Sequence, residues 1–288
     1  MEKRFIIAVG ILACVMTGVP ASAEVTQYIR YSIGSEIGFG VLEGSTIHEL
    51  AGNFLDTTKR TGNTLSLNDV TILAPTAPGK VIAVGLNYKD HLGTAEPAKY
   101  PGLFAKFPTC IIAQGETVVL PGDAKYVAAE AEIVIVIGKK AHNVSIEEAP
   151  DYIFGVTCGN DVSERTWQRD DLQWFRGKGT DTFGPMGPVV ATGLDLKDIK
   201  VKGRVNGEEK QSSSSAYMIF DIATQVSYIS HYVTLMPGDV IFTGTPGTAP
   251  KIDDGDVVEI EIEGVGVLKN PVKKSATSYA STNGLKEQ

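Results

Sequence analysis

The stretch VAAEAEIVIVIG, residues 127–138, carries Glu130 and Glu132 straight into six residues that have no polar side chain. Its β-branched run reads as a strand. Side chains two apart on a strand share a face, so the two carboxylates lie on the face that Val134 and Val136 continue. Alternation stops there, which expects a strand buried on both sides just beyond the acids. A second stretch, VVEIEIEGVGVL at 257–268, serves as a contrast. There Glu259, Glu261 and Glu263 alternate with Ile260 and Ile262, an antiparallel edge pattern with one wet face and one packed face. Those acids need no function. Two carboxylates side by side at a dry strand repel each other and are poorly solvated. They are protonated, or they protrude into water at the strand's start, or they share a cation, and a hard divalent ion is the simplest of the three.

Around this strand the pattern is β-rich α+β. Residues 25–50 read as short strands broken by Gly34, Gly38, Gly40 and Gly44, a small N-terminal β unit taken as residues 24–74. LAPTAPGK at 73–80 is a Pro-containing connection, after which VIAVGL at 81–86 reads as a buried strand. Ser145 and Glu148 have capping-box spacing. Ile222, Val226, Ile229 and Val233 recur at helical spacing until Pro237-Gly238. A main unit at 75–273 and a loose polar tail at 274–288 complete the division.

The N-terminus reads as a targeting segment. Lys3 and Arg4 precede an apolar run at 5–19 and then Ala21-Ser22-Ala23, the layout of a secretory signal peptide cleaved after Ala23. The run is short for a membrane span, although an uncleaved anchor is the alternative. This reading expects a periplasmic or secreted protein. Cleavage removes two of the 26 basic and one of the 34 acidic side chains, leaving 24 against 33 and a net charge of -9. An acidic balance argues against nucleic acid or an anionic membrane as partner. Cys110 and Cys158 would remain, enough for one bridge and without metal-site spacing.

A third acid bears on the cation. GVTCGNDVSERTWQ at 155–168 offers Asp161, with Arg165 and Gln168 four and seven positions on, along one side if the segment is helical. The plain alternative is a helix-start acid with a salt-bridge partner. Lys178 stands in the Gly-rich stretch FRGKGTDTFGPMGPVV, which lacks the residues of a P-loop.

Together with VGLNYKDH (84–91), LFAKF (103–107), GNDVSERTWQ (159–168), GKGTDTFGPMGP (177–188), VNGE (205–208), MIFDI (218–222) and MPGDVIFTGTPG (236–247), the chain resembles the fumarylacetoacetate hydrolase family over residues 75–272. The resemblance implies a mixed β-roll, commonly a homodimer. It implies Glu130, Glu132 and Asp161 as ligands of Mg2+ or Mn2+, with His91 and Lys178 catalytic. Tyr88, Arg165, Gln168, Thr182 and Thr245 would lie around the substrate, a small 2-oxo or β-diketo acid. For Lys106, in the LFxK motif, the resemblance leaves open a packing or surface role or a substrate contact. His48, His142 and His231 fall in no motif and read as structural or surface residues.

Hydrolytic members that resemble the 88–104 lid carry a glutamate three positions after the histidine; here that position is Thr94, beside Gly93, and Glu96 precedes Pro97. The expected activity is carbon-carbon hydrolysis of an acylpyruvate or diketo acid through a stabilised enolate. The alternatives are an isomerase, tautomerase or lyase, which needs the metal, an electrophilic lysine and one base, and a non-catalytic exported binder of 2-oxo acids.

Overall fold

In the computed structural model, which describes residues 24–283, the apolar run forms the strand Ala131–Ile137 with every residue buried. Its odd-numbered side chains Ile133, Ile135 and Ile137 join one core cluster. Val134 and Val136 join another, with Val41, Met186 and Phe242. Each such side chain contributes about 1.5–3 kcal/mol on burial. Burial on both faces therefore anchors the strand firmly just behind the acids.

This strand lies inside a twelve-stranded sheet, between Ile153–Asn160 and Val240–Phe242; Val81–Gly85 and then Gly102–Lys106 complete that side. Beyond Ile153–Asn160 come Gly184–Thr192 and Thr26–Ile33. Glu36–Glu43, Thr46–Leu50 and Arg60–Ser66 follow as an antiparallel meander. The N-terminal strands thus extend the main sheet by hydrogen bonds rather than forming a sheet of their own. A five-stranded sheet packs against it, and its Val201, Val258, Ile260 and Ile262 share a cluster with Ile133 and Ile135. The result is a mostly-sheet α+β fold.

VEIEIEG keeps its wet and dry faces, with Val258, Ile260 and Ile262 buried. The strand Val257–Ile262 is nevertheless central in its sheet, between Lys200–Val205 and Gly266–Lys274, and not at an edge. Its acids meet cations on the neighbouring strands: Arg204 bonds Glu261 at 2.5 Å and Lys269 meets Glu259 at 2.8 Å. Alternation reports two-sidedness, and ion pairs to neighbouring strands imitate an edge.

The helical periodicity becomes Ile222–Tyr232, capped by Asp221, which accepts from Thr224 N at 2.8 Å. Ser145 and Glu148 bond each other's backbone N–H reciprocally, both at 3.2 Å, and lead into one short 3-10 turn, Ala149–Tyr152. The segment read as a loose tail is held at its start, since Ser275 N donates to Leu120 O and Gly122 N to Thr277 O. Cys110 and Cys158 are buried and free, so they form no bridge. No helix of the described residues is long and apolar enough to cross a membrane. The signal-peptide reading of residues 1–23 lies outside the described residues.

Candidate active site

Strand direction gathers the acids at one end of the sheet. Val240–Phe242 runs antiparallel to Ala131–Ile137 and parallel to Val81–Gly85. The loops leaving those two strands, which carry Thr245 and His91, therefore emerge beside the start of the third, where Glu130 and Glu132 sit. Ile153–Asn160 is also antiparallel to it, with Ala131 opposite Asn160 and Glu132 opposite Gly159. Asp161 follows at the same end, and its N–H donates to Glu130 O at 3.0 Å. Glycine is required opposite Glu132: a Cβ on Gly159 would fall 2.3 Å from Val134 Cγ2 and 2.7 Å from Phe242 Cε1.

One oxygen of each of Glu130, Glu132 and Asp161 lies within 4.8 Å of the others, and all three residues are buried. Their counter-charges are unequal. Lys178 Nζ donates to Glu130 Oε2 at 2.6 Å and to Asp161 Oδ2 at 2.5 Å. Arg165 Nη2 donates to Glu130 Oε1 at 2.5 Å, while Nη1 donates to Gln168 Oε1 at 2.8 Å. Lys106, its side chain wholly buried, donates to Asp161 Oδ1 at 2.6 Å and to the Lys178 carbonyl at 2.5 Å. Glu132 accepts one bond, from Gly244 N at 2.8 Å, and among the described residues no Lys or Arg side chain pairs with it.

The protonation behaviour follows. Burial pushes the Glu130 carboxyl up, but Lys178 and Arg165 outweigh it and hold the group well below the usual range. Burial also pushes Glu132 up, and there Asp161 and Glu130 add to the push, so it sits well above that range. Lys178 loses to burial and gains more from Asp161 and Glu130, so its ammonium is held above the ordinary lysine value. Three buried carboxylates, one without a cationic partner, form a hard-oxygen donor set that fits Mg2+ or Mn2+.

The acids line a cavity of about 220 Å³ together with His91, Arg165, Gln168, Lys178 and Thr245, and with Phe104 and Trp174 as apolar wall. His91 Nδ1 meets the Gly247 carbonyl oxygen. A carbonyl only accepts, so Nδ1 carries the hydrogen, and in the neutral ring Nε2 is the basic nitrogen. Thr94 and Glu96 are both exposed in the loop beyond. Thr245 Oγ1 donates to Ala131 O at 3.0 Å and accepts from Gln211 Nε2 at 2.9 Å.

Two predicted residues stand elsewhere. Tyr88 is 1% exposed and its hydroxyl is unpartnered; burial raises its pKa, and the nearby charges of Glu132 and Asp90 add to the rise. It is not among the residues that line the cavity. Thr182, in the left-handed region at φ 71°, accepts from Val119 N at 2.9 Å and secures a strand instead of lining the cavity. Arg165 and Gln168 do share a helix, Arg165–Asp170, but Asp161 precedes it on the strand end, and Glu164 caps it by accepting from Trp167 N at 2.5 Å.

Gln211 is a site residue that sequence reasoning passed over. Its buried amide accepts from Ala131 N at 2.9 Å and donates to Thr245 Oγ1 and to Pro246 O, the latter at 2.6 Å, so it staples the Glu130–Glu132 segment to the loop after Val240–Phe242. Nothing local in EEKQSSS signals this. Phe104 and Trp174 were likewise invisible as a pair, because they come from separate segments.

Comparison with known proteins agrees with this arrangement. Residues 80–273 match the family model described as fumarylacetoacetate (FAA) hydrolase C-terminal, and residues 26–75 match one described as Rv2993c-like, N-terminal. Protein Rv2993c of Mycobacterium tuberculosis is 44% identical over 79% of this chain and 88% of its own. The mitochondrial oxaloacetate tautomerase Fahd2a of Rattus norvegicus is 41% identical over 71% of this chain and 70% of its own. A 5-carboxymethyl-2-hydroxymuconate delta-isomerase from Mycobacterium smegmatis superposes with a TM-score of 0.82 at 40% identity, over 86% of this chain and all of the other (100%). A maleylpyruvate hydrolase from Sphingobium sp. SYK-6, solved with manganese(II) and pyruvate, gives 0.72 at 27% identity over 86% and 99%. The tautomerase is a mitochondrial protein, and this overturns the expectation of a periplasmic or secreted one. With the C-terminal domain model matched from Lys80 to Lys273, the chain is an enzyme of the fumarylacetoacetate hydrolase family.

Proposed function

We propose that the protein isomerises a small 2-oxo acid between keto and enol forms, with Mg2+ or Mn2+ held by Glu130, Glu132 and Asp161. The observation that carries this reading is the setting of His91: its imidazole is oriented by the Gly247 carbonyl, and among the described residues no carboxylate hydrogen-bonds to it. Such a base is complete for taking a proton from carbon and lacks a partner acid for activating water. The relatives named as a tautomerase and an isomerase, each at 40% identity or above, support the same reading.

When bound, the divalent ion supplies a Lewis acid beside the 2-oxo carboxylate group. His91 Nε2 takes the proton from the carbon next to the ketone, and the electron pair moves to the carbonyl oxygen. Lys178, its ammonium secured by Glu130 and Asp161, donates to the oxygen as charge develops there. Return of the proton to oxygen gives the enol, and the reverse order gives the ketone. Arg165 and Gln168, joined at 2.8 Å, present a guanidinium edge to the substrate carboxylate. Thr245 keeps its loop against Ala131. The assembly in this reading is a homodimer, measurable by sedimentation velocity.

The decisive assay follows the enol absorbance of oxaloacetate. Acceleration of its decay that needs Mg2+ or Mn2+ and is lost in Glu132→Ala supports the proposal; no acceleration above the metal-only rate sinks it. Carbon-carbon hydrolysis is the second reading, favoured by the maleylpyruvate hydrolase neighbour. It requires pyruvate release from acetylpyruvate, and Thr94→Glu would raise that release.

A further inference from the structure

Arg30 is set apart from the other arginines of the described residues. Arg60, Arg165, Arg169, Arg176 and Arg204 each meet a carboxylate as an ion pair. Arg30 pairs with none among the described residues, and its guanidinium donates once, from Nη1 to the Ala74 carbonyl at 3.1 Å. The side chain is nonetheless half-buried, and burial lowers its pKa with no acid at hand to restore it. A guanidinium offers a fork of N–H donors, most of which here await an acceptor. A charge withdrawn from water without a partner costs stability.

This arginine lines a cavity of about 410 Å³ that shares no residue with the one at the carboxylates. The size is within the usual range of small-molecule sites, which favour the junctions of domains. Such a junction is present, since Arg30, Phe39 and Asn53 lie in the matched stretch 26–75 and Pro237 and Gly238 in the stretch 80–273. Arg30 stands opposite Phe39 on paired strands, so the two side chains share a face, and Ile37 continues it. Ile37 lines the same cavity and is left 54% exposed. Asn53 Oδ1 accepts from Leu55 N at 3.0 Å, and its Nδ2 has no acceptor among the described residues. The Thr76 hydroxyl is already engaged, donating to Gly238 O at 3.0 Å. Among the described residues no Asp, Glu, Lys or His lines the cavity. It thus offers one positive fork and one amide donor beside an apolar wall.

We propose that this cavity binds a monocarboxylate with a small apolar body, its carboxylate forked on Arg30 and reached by Asn53 Nδ2, and its body against Phe39 and Ile37. A carboxylate matches the guanidinium edge with two parallel hydrogen bonds and a single opposite charge. A phosphate dianion would bring a second charge to a site with one cation and would leave the apolar wall uncovered.

The test is a fluorine NMR titration of para-fluorobenzoate against the whole protein in chelator. The wild type should bind the probe. Arg30→Gln should weaken binding about ten- to a hundredfold, the loss expected for hydrogen bonds to a charged group. Ile37→Asp, at an exposed position, should weaken it through repulsion and lost apolar contact. Arg165→Gln should leave it unchanged, because Arg165 lines the other cavity. Should Arg30→Gln fail to fold, the contrast between Ile37→Asp and Arg165→Gln decides alone. Absence of binding to the wild type overturns the proposal. So does binding that is lost in Arg165→Gln and kept in Arg30→Gln or Ile37→Asp, which would place the probe at the carboxylates. Equal affinity for para-fluorobenzyl alcohol would remove the guanidinium from the explanation, and displacement by inorganic phosphate as readily as by unlabelled benzoate would remove the apolar wall; either result overturns the site as described.

Discussion

Replacing Lys106 by Met separates the electrostatic role of this residue from simple filling. The side chain is fully buried, so solvent screens neither of its bonds, to Asp161 Oδ1 at 2.6 Å and to the Lys178 carbonyl at 2.5 Å. Met is of similar length and apolar, so little cavity results. Removing one partner of a buried pair costs about 3–5 kcal/mol, because the other charge stays behind. Asp161 retains Lys178 at 2.5 Å, which places the loss near the lower end, about 3 kcal/mol. At roughly 2–4 °C per kcal/mol for a chain approaching this size, Lys106→Met lowers Tm by about 6–12 °C. Scanning calorimetry in chelator measures it. The same change frees the peptide that carries Lys178, and a misplacement of about 1 Å at such a group lowers kcat/KM by roughly a hundredfold. A Tm drop below about 2 °C with unchanged kcat/KM would refute the reasoning and make the pair energetically neutral.

Three further outcomes follow from the same geometry. Glu132 has a raised carboxyl, so between the ordinary Glu range and that raised value the folded protein binds more protons than the unfolded chain, and stability falls as pH rises. In chelator, Glu132→Gln should therefore show a smaller loss of Tm from pH 5 to pH 8 than the wild type; an equal loss removes Glu132 as the cause. Gly159→Ala forces a methyl against Val134 and Phe242 and should cost about 1–3 kcal/mol, read by urea unfolding, with wild-type stability refuting the packing argument. His91→Gln, which keeps a donor for the Gly247 carbonyl and removes the base, should lower the rate of enol decay by about 10²–10⁴-fold while leaving divalent-cation affinity intact.

What the sequence disclosed depended on the range of the interaction. The run IVIVI behind Glu132 is local, and its burial on both faces was legible from the loss of alternation. Asp161 was legible only through its motif: by spacing it looked like a helix residue, whereas the strand register of Ala131 against Asn160 is what delivers it. VEIEIEG looked like an edge because Arg204 and Lys269, far along the chain, supply the polar side that water was expected to supply. Gln211 and Lys106 lie beyond local reading altogether. Each is a polar side chain buried by contacts 80 and 55 residues away, and no periodicity encodes such a pairing.

The unequal treatment of the three carboxylates is what makes them one site. Glu130 and Asp161 are each met by two cationic side chains, so their charge is already satisfied within the protein. Glu132 is as deeply buried and has a single backbone N–H. If burial were the whole explanation, a neutral residue there would serve the fold better, because the charge costs stability and the Gly244 bond needs only an acceptor. A titratable group in this position instead leaves the cluster short of one positive partner, at the wall of a cavity and within 4.8 Å of two fixed negative groups. The shortfall is local to Glu132, and a cation drawn to it necessarily meets Glu130 and Asp161 as well. The two lysines and Arg165 then act as clamps that hold two of the carboxylates in place, while Glu132 supplies the attraction.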